Sequence, residues 1–211
     1  MYNEGLPNHH VYSSNVIDFV TVAAEICLFL EHATEETKNN FINKLLKLLP
    51  LLYLKTAVQE LPEPVFDDTP EKFVSEEDYL YIKEEIEQLL GADDTYLEVF
   101  HPDMAMSDTP IAAFISENLA DIYQELKDFA ANYQTMDVDT MNDALLACLQ
   151  AFGEHWGQKV LNSTRALHAL RYSDNFEKEE DESTHTDKIN RNTFLNFLQD
   201  DEEEDMFQTL L

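Results

Sequence analysis

The chain has 211 residues, 44% of them hydrophobic, with 43 Asp and Glu against 13 Lys and Arg and a formal net charge of −30. That is enough apolar material for one domain with a proper core, and enough negative charge to repel nucleic acid and anionic membrane while attracting basic partners and divalent cations. The four glycines, Gly5, Gly91, Gly153 and Gly157, supply no clustered-glycine loop for cradling a phosphate, which excludes nucleotide binding of the P-loop or dinucleotide kind.

Apolar residues recur at helical spacing nearly throughout, and no run alternates as a strand does. The fold class is therefore all-α: a single-domain bundle of five to six helices over residues 1–172, followed by an acidic tail over 173–211. The opening "MYNEGLPNHH" has no Lys or Arg, so no signal peptide is expected. The first helix runs from about Ser14 to Glu31 and is apolar nearly all round, which predicts the central place in the bundle. Its run from Val16 to Leu30 is broken by Asp18 and Glu25 and falls short of the roughly 20 residues of a membrane span, so a cytoplasmic protein is expected. A buried Glu25 in that helix would require a counter-charge. Cys27 and Cys148, far apart within apolar helical patterns, read as buried free thiols.

A second helix is predicted after Thr34, with Glu35 and Glu36 in its first turn and a kink at Pro50. "LPEPVFDDTPEKFV", with prolines at 62, 64 and 70, is a loop. "SEED" from Ser75 is a capping box that opens a third helix to Leu90, with Gly91 as its C-cap. Residues 92–110 form a long connection of the kind that often carries function. Pro110 predicts the start of a fourth helix reaching Tyr133. The fifth and longest should span Asp139 to Tyr172, with a break at Gly153 and Gly157. The tail from Ser173 holds thirteen acids and three bases, a composition expected to be mobile. Its two small apolar clusters, at 194–198 and 206–211, are candidate docking segments.

The stretch "FGEHWGQKVLNSTRALHALRY" carries no acid after Glu154 and holds the single tryptophan, Trp156. Leu149, Trp156, Val160, Ser163, Leu167 and Leu170 share one helical face, which predicts a core indole. Glu154, Gln158, Leu161, Arg165, His168 and Tyr172 form a second stripe. It reads as a solvated face, as an arginine neutralising a bundle carboxylate, or as an anion receptor. With only three arginines in the chain, the acid-free helix is expected to supply counter-charges to the first and fourth helices. Arg165 with Glu25 or Asp121 is the predicted pairing.

On the fourth helix Glu117, Asp121, Glu125 and Asp128 line one ridge, and carboxylates so spaced are the metal ligands of the alternative reading, a metal-dependent hydrolase of the all-helical nucleotide pyrophosphatase type. The paired motif such an enzyme needs is poor here, since "KEEIEQLL" offers only ordinary surface acids. Glu-x-x-His spacing occurs only at Glu98–His101 and Glu182–His185, outside any bundle interior, which argues against a di-iron site. No zinc spacing or nucleophile elbow is present.

"DDTYLEVFHP", "LADIYQELKDF", "HWG" and the following "ALHAL" together resemble an uncharacterised bacterial family catalogued as domain of unknown function 5063. The matching residues are Tyr96, Glu98, Val99, Phe100, Leu119 to Tyr123, Leu126, Lys127, His155 to Gly157 and Ala166 to His168, spread over Val16 to Tyr172. The family pattern often has an acid where Asn118 stands and a histidine where Lys159 stands, so the resemblance implies an all-helical fold without implying a shared metal site. A looser, architectural similarity extends to acidic helical chaperones of twin-arginine leader peptides. The reading that results is a non-enzymatic adaptor or chaperone-like module, without cofactor, that recruits a basic protein or peptide through Tyr96, Asp121, Tyr123, His155, Arg165 and His168. Neither nucleic acid nor membrane is expected as a partner, and a nucleic-acid-mimicking inhibitor is a further alternative.

Overall fold

The computed structural model describes residues 9–98, 111–173 and 176. The chain divides into two units, Met1–Phe176 and Glu177–Leu211. The second unit, with the predicted docking segments, lies outside the described residues. Six α-helices build the first: α1 Ser14–Glu31, α2 Lys38–Ala57, α3 Glu76–Leu90, α4 Ile115–Tyr133, α5 Val138–Ala151 and α6 Gly157–Arg171. Among the described residues no helix is long and apolar enough to cross a membrane.

Four of the helices start where a short polar side chain accepts an orphan backbone N–H. Ser13, Thr37, Ser75 and Asp137 take those of Val16, Asn40, Asp78 and Thr140, as N-cap chemistry requires. Thr37, and not Thr34, therefore opens α2, while Ala33–Glu35 closes a separate 3₁₀ turn. Pro50 is exposed, and α2 runs past it to Ala57. The capping box at Ser75 is formed with Asp78, and α3 ends at Gly91 with φ of 58°, a left-handed geometry that favours glycine.

The fourth helix departs from expectation. It begins at Ile115, not after Pro110, because Ala112–Phe114 is a short strand (β2) pairing antiparallel with Thr95–Leu97 (β1), Tyr96 opposite Ala113. Its cap comes from outside: the buried Asp94 carboxylate accepts the Ser116 N–H and Oγ–H, each at 2.7 Å. Three-residue strands are too short to leave an alternating signature.

The centre of the bundle is α4, which packs against α1, α3, α5 and α6, and not α1 as predicted. The difference lies in the flanks. Asp18, Thr21, Glu25 and Leu28 of α1 are exposed, so its polar stripe faces water and Glu25 needs no buried partner. Phe19 of α1 stacks on Phe129 of α4 with ring centroids 5.1 Å apart. Trp156 is fully buried, as the periodicity predicts.

Residues 58–75 form a strap tied to α4 and α5 by polar side chains those helices bury. Asp143 accepts the backbone N–H groups of Val65 and Phe66 at 2.8 and 2.7 Å, and Asp128 Oδ1 accepts those of Phe73 and Val74 at 2.7 and 2.9 Å. The amides of Asn142 and Asn132 donate to the Glu63 and Glu71 carbonyls. The proline-rich loop is thus held by helix residues that stand in for a strand partner.

The predicted long fifth helix is two helices joined by a π-turn, Phe152–Trp156. Gly157 makes this geometry possible: a Cβ there would lie 2.5 Å from the Phe152 carbonyl oxygen and 2.9 Å from its ring, whereas one on Gly153 meets nothing within 4 Å. Gly157→Ala is expected to lower stability by about 2 kcal/mol through overpacking, read as a lower urea midpoint. Gly153→Ala should be neutral or slightly stabilising.

Cys27 and Cys148 are buried free thiols, as predicted. Burial pushes Cys27 up to about 12 and raises Cys148 well above the ordinary thiol value. Neither is expected to react with a thiol reagent near pH 8 until the chain is unfolded, which a colorimetric titration with and without urea checks.

Candidate functional site

At 3.6 residues per turn, Asn118, Asp121, Glu125, Asp128 and Asn132 fall on one flank of α4, and Tyr123 and Lys127 on the other. The N-terminal half of the first flank meets the start of α6, where Lys159 and Asn162 lie one turn apart. The β1–β2 ladder sets Tyr96 and Glu98 beside the same seam, extended by the Glu98 N–H donating to the Ile111 carbonyl at 2.8 Å.

Two linked groups fill the seam. The Tyr79 hydroxyl donates to Asp121 Oδ1 at 3.0 Å, and the Lys159 ammonium pairs with Asp121 Oδ2. Alongside, the Asn118 amide donates to the Tyr96 hydroxyl at 2.7 Å, Tyr96 donates to Glu98 at 3.3 Å, and the Asn162 amide donates to Glu98 at 3.1 Å. Burial raises the Tyr79 phenol, and the Asp121 charge raises it further. Burial likewise raises Tyr96, with Glu98 adding to the shift and the Asn118 amide opposing it. Both phenols therefore stay protonated as donors. All seven side chains are at least partly covered, and they bond to one another.

The six predicted contact residues do not gather in one place. Tyr96 and Asp121 are in the seam. Tyr123 is on the opposite flank, where its hydroxyl and the Lys127 ammonium donate to Glu31 of α1 at 2.8 and 2.7 Å; burial first, and then the hydrogen bond to Glu31 and its charge, raise this phenol too. His155 sits on the π-turn and Arg165 and His168 on α6, all three exposed.

The predicted pairing of Arg165 with Glu25 or Asp121 is overturned. Among the described residues no carboxylate lies within ion-pair distance of Arg165, and the counter-charge to Asp121 is Lys159. The acid-free helix does answer an anion of α4, but from the flank that faces the seam. Arg165 points outward with Gln158, Leu161 and Tyr172. Arg165→Met is accordingly expected to change stability by less than about 0.5 kcal/mol, measured as an unchanged melting temperature.

The carboxylates of the metal alternative are dispersed. Glu117 is exposed, Asp121 serves Tyr79 and Lys159, Glu125 lies 3.6 Å from Lys72, and Asp128 holds the strap. Among the described residues no three His, Cys, Asp or Glu side chains are grouped so as to hold a metal ion. Of the seam residues, sequence reasoning placed only Tyr96 and Asp121 among the contacts and missed Tyr79, Glu98, Asn118, Lys159 and Asn162 in that role. The available signal was the i, i+3 match of Asn118 and Asp121 with Lys159 and Asn162 on two neighbouring helices.

The sequence matches the domain of unknown function DUF5063 over residues 10–173. The chain belongs to this family. Asn118 and Lys159 stand in the seam beside Tyr96, Glu98 and Asp121. This DUF5063 chain is also similar to protein BF1032 from Bacteroides fragilis, known from a crystal structure. The two share 43% identity with a TM-score of 0.71, over 78% of this chain and 97% of that one. No curated protein matches.

Proposed function

We propose that this DUF5063 protein is a non-enzymatic helical binding module, an adaptor or chaperone-like protein, whose acidic surface engages a basic protein or peptide. The observation that carries this reading is the C-terminal end of α3. There Glu84, Glu85 and Glu87 border an open concavity with Gln88 and Gly91, and the last turn holds no basic side chain. A carboxylate near a helix C-terminus faces the negative pole of the helix dipole, at a cost of roughly 0.3–1 kcal/mol. Lys83, 3.9 Å from Glu87, offsets little of this at an exposed site. A cationic partner relieves the remaining repulsion.

The seam supports the non-catalytic half of the reading, because its acid, base and phenols already satisfy one another. Within the proposal, the exposed His155, Arg165 and His168 donate to backbone carbonyl groups of the partner and not to its cations, while Tyr96, Asp121 and Tyr123 hold the helices that carry the surface.

Titration of the full chain with a fluorescein-labelled lysine–alanine peptide should give saturable binding that weakens with salt. Reversing Glu84, Glu85 and Glu87 to lysine is expected to lower affinity about tenfold, equivalent to about 1.4 kcal/mol. Reversing Glu60, Asp67 and Asp68 changes the net charge equally and should matter much less. Equal losses from the two triple variants, or no binding at low ionic strength, would refute the proposal.

A further inference from the structure

Where residues 69–72 of the strap cross α4 and α5 they roof a cavity of about 230 Å³, floored by Phe129, Ala144, Ala147 and Cys148. Glu125 and Asp128 of α4 stand at its mouth together with Lys72 of the strap. Lys72 Nζ lies 3.6 Å from Glu125 and 3.3 Å from Asp128 Oδ2. Two carboxylates thus face one ammonium, and the mouth keeps a net negative charge.

The two sides of this ion pair differ in burial. The Lys72 side chain is 59% exposed and that of Asp128 only 5%. Asp128 Oδ1 is occupied by two backbone N–H groups, but Oδ2 is buried and faces the Lys72 ammonium at 3.3 Å without a well-formed hydrogen bond. A buried carboxylate oxygen facing only a wet ammonium at this distance is an acceptor left incompletely satisfied. Asp128 lines the cavity, whose floor is apolar.

We propose that this cavity binds a primary alkylammonium group, its carbon chain on the Phe129–Ala144–Ala147 floor and its charge between Glu125 and Asp128 Oδ2. Lys72 is then a tethered stand-in that the ligand displaces. A cavity of about 150 Å³ holds benzene, so the observed volume admits a chain of about six carbons. The charge at the mouth rejects a carboxylate of the same length, and a neutral alcohol gains the floor without the ion pair. The ammonium comes either from a free amine or from a lysine side chain of a partner. Only the second source rests on the basic-partner reading above.

Methyl-resolved NMR of the full chain, titrated with n-hexylamine hydrochloride, tests the site against n-hexanol and ammonium chloride at matched concentration. Saturable shifts of the Ala144 and Ala147 methyls are expected with the amine at low concentration, with n-hexanol only at about tenfold higher concentration, equivalent to about 1.4 kcal/mol, and not with ammonium chloride. Lys72→Met should tighten binding about threefold by removing the competitor, and Glu125→Gln should weaken it about threefold, as a partly exposed ion pair allows. Asp128 is left intact because it also holds the strap. Nα-acetyl-lysine amide provides the second arm. If it binds like hexylamine, the source is a protein side chain, and if only hexylamine binds, the source is a free amine; either outcome upholds the site. Shifts equal to those of ammonium chloride, or weaker binding by Lys72→Met, overturn it. Loss of peptide binding at the α3 surface with these shifts intact would instead remove the basic-partner reading alone.

Discussion

Trp156→Ala is expected to lower folding stability by about 4 kcal/mol, the size of effect that removal of a large aromatic from a packed core produces. The indole is fully buried and meets the Phe152 ring edge-on at 4.7 Å between centroids, while Phe152 in turn contacts Tyr53 of α2 at 5.2 Å. Its Nε1–H donates to the Cys148 carbonyl at 3.1 Å. The residue therefore both fills the core between α2 and α6 and ties the π-turn to the end of α5. Trp156→Phe separates these roles. It keeps most of the apolar volume, loses the hydrogen bond, and should cost about 1–2 kcal/mol. Because Trp156 is the single tryptophan, urea unfolding must be followed by far-ultraviolet circular dichroism. A loss under about 1 kcal/mol for the alanine variant would contradict the packing described.

Asp143→Ala is expected to cost about 3 kcal/mol near neutral pH, since charge-assisted hydrogen bonds to the Val65 and Phe66 N–H groups are lost together. The effect should be local first. Amide hydrogen exchange at Val65 and Phe66 should rise ahead of exchange in the α4 core, because the strap opens while the bundle stays closed. Burial pushes the Asp143 carboxyl up, but the N–H groups of Phe66 and Val65 and the Asn142 amide outweigh it and hold it below the usual carboxylate range. A folded value below the unfolded one means that the carboxylate stabilises fully above the unfolded value of about 3.9. That contribution is lost as pH falls through the lower, folded value. The gap in urea stability between wild type and Asp143→Ala should therefore be constant from pH 7 to about 5 and close below about pH 4. A gap unchanged down to pH 2 would show that the carboxylate charge does not hold the strap.

How far the sequence could be read depended on the range of each interaction. The capping box at Ser75, the Gly91 cap and the core face through Trp156 were legible because their partners lie within a few residues along the chain. The interruption after α5 was legible from Gly153 and Gly157, although only Gly157 faces the close approach that needs a glycine. The start of α4 was not legible, because its cap, Asp94, reaches Ser116 from 22 residues away. Nor was the seam. Asn118, Asp121, Lys159 and Asn162 each look like ordinary surface residues until the crossing of α4 and α6 sets them face to face. Arg165 looked like the natural counter-charge from composition, since arginine is rare here, yet helix phase turns it to water and gives that role to Lys159.

By itself the sequence determined that the chain is helical, strongly acidic, capped at Ser75 and built around a buried indole, since helical periodicity, charge count and caps depend on neighbours in the chain. Only the tertiary structure decided that α4 is central, that Asp128 and Asp143 clasp a proline-rich strap, and which cation meets Asp121. Those outcomes depend on rotation and crossing of whole helices, where a shift of one residue moves a side chain by about 100° around the axis.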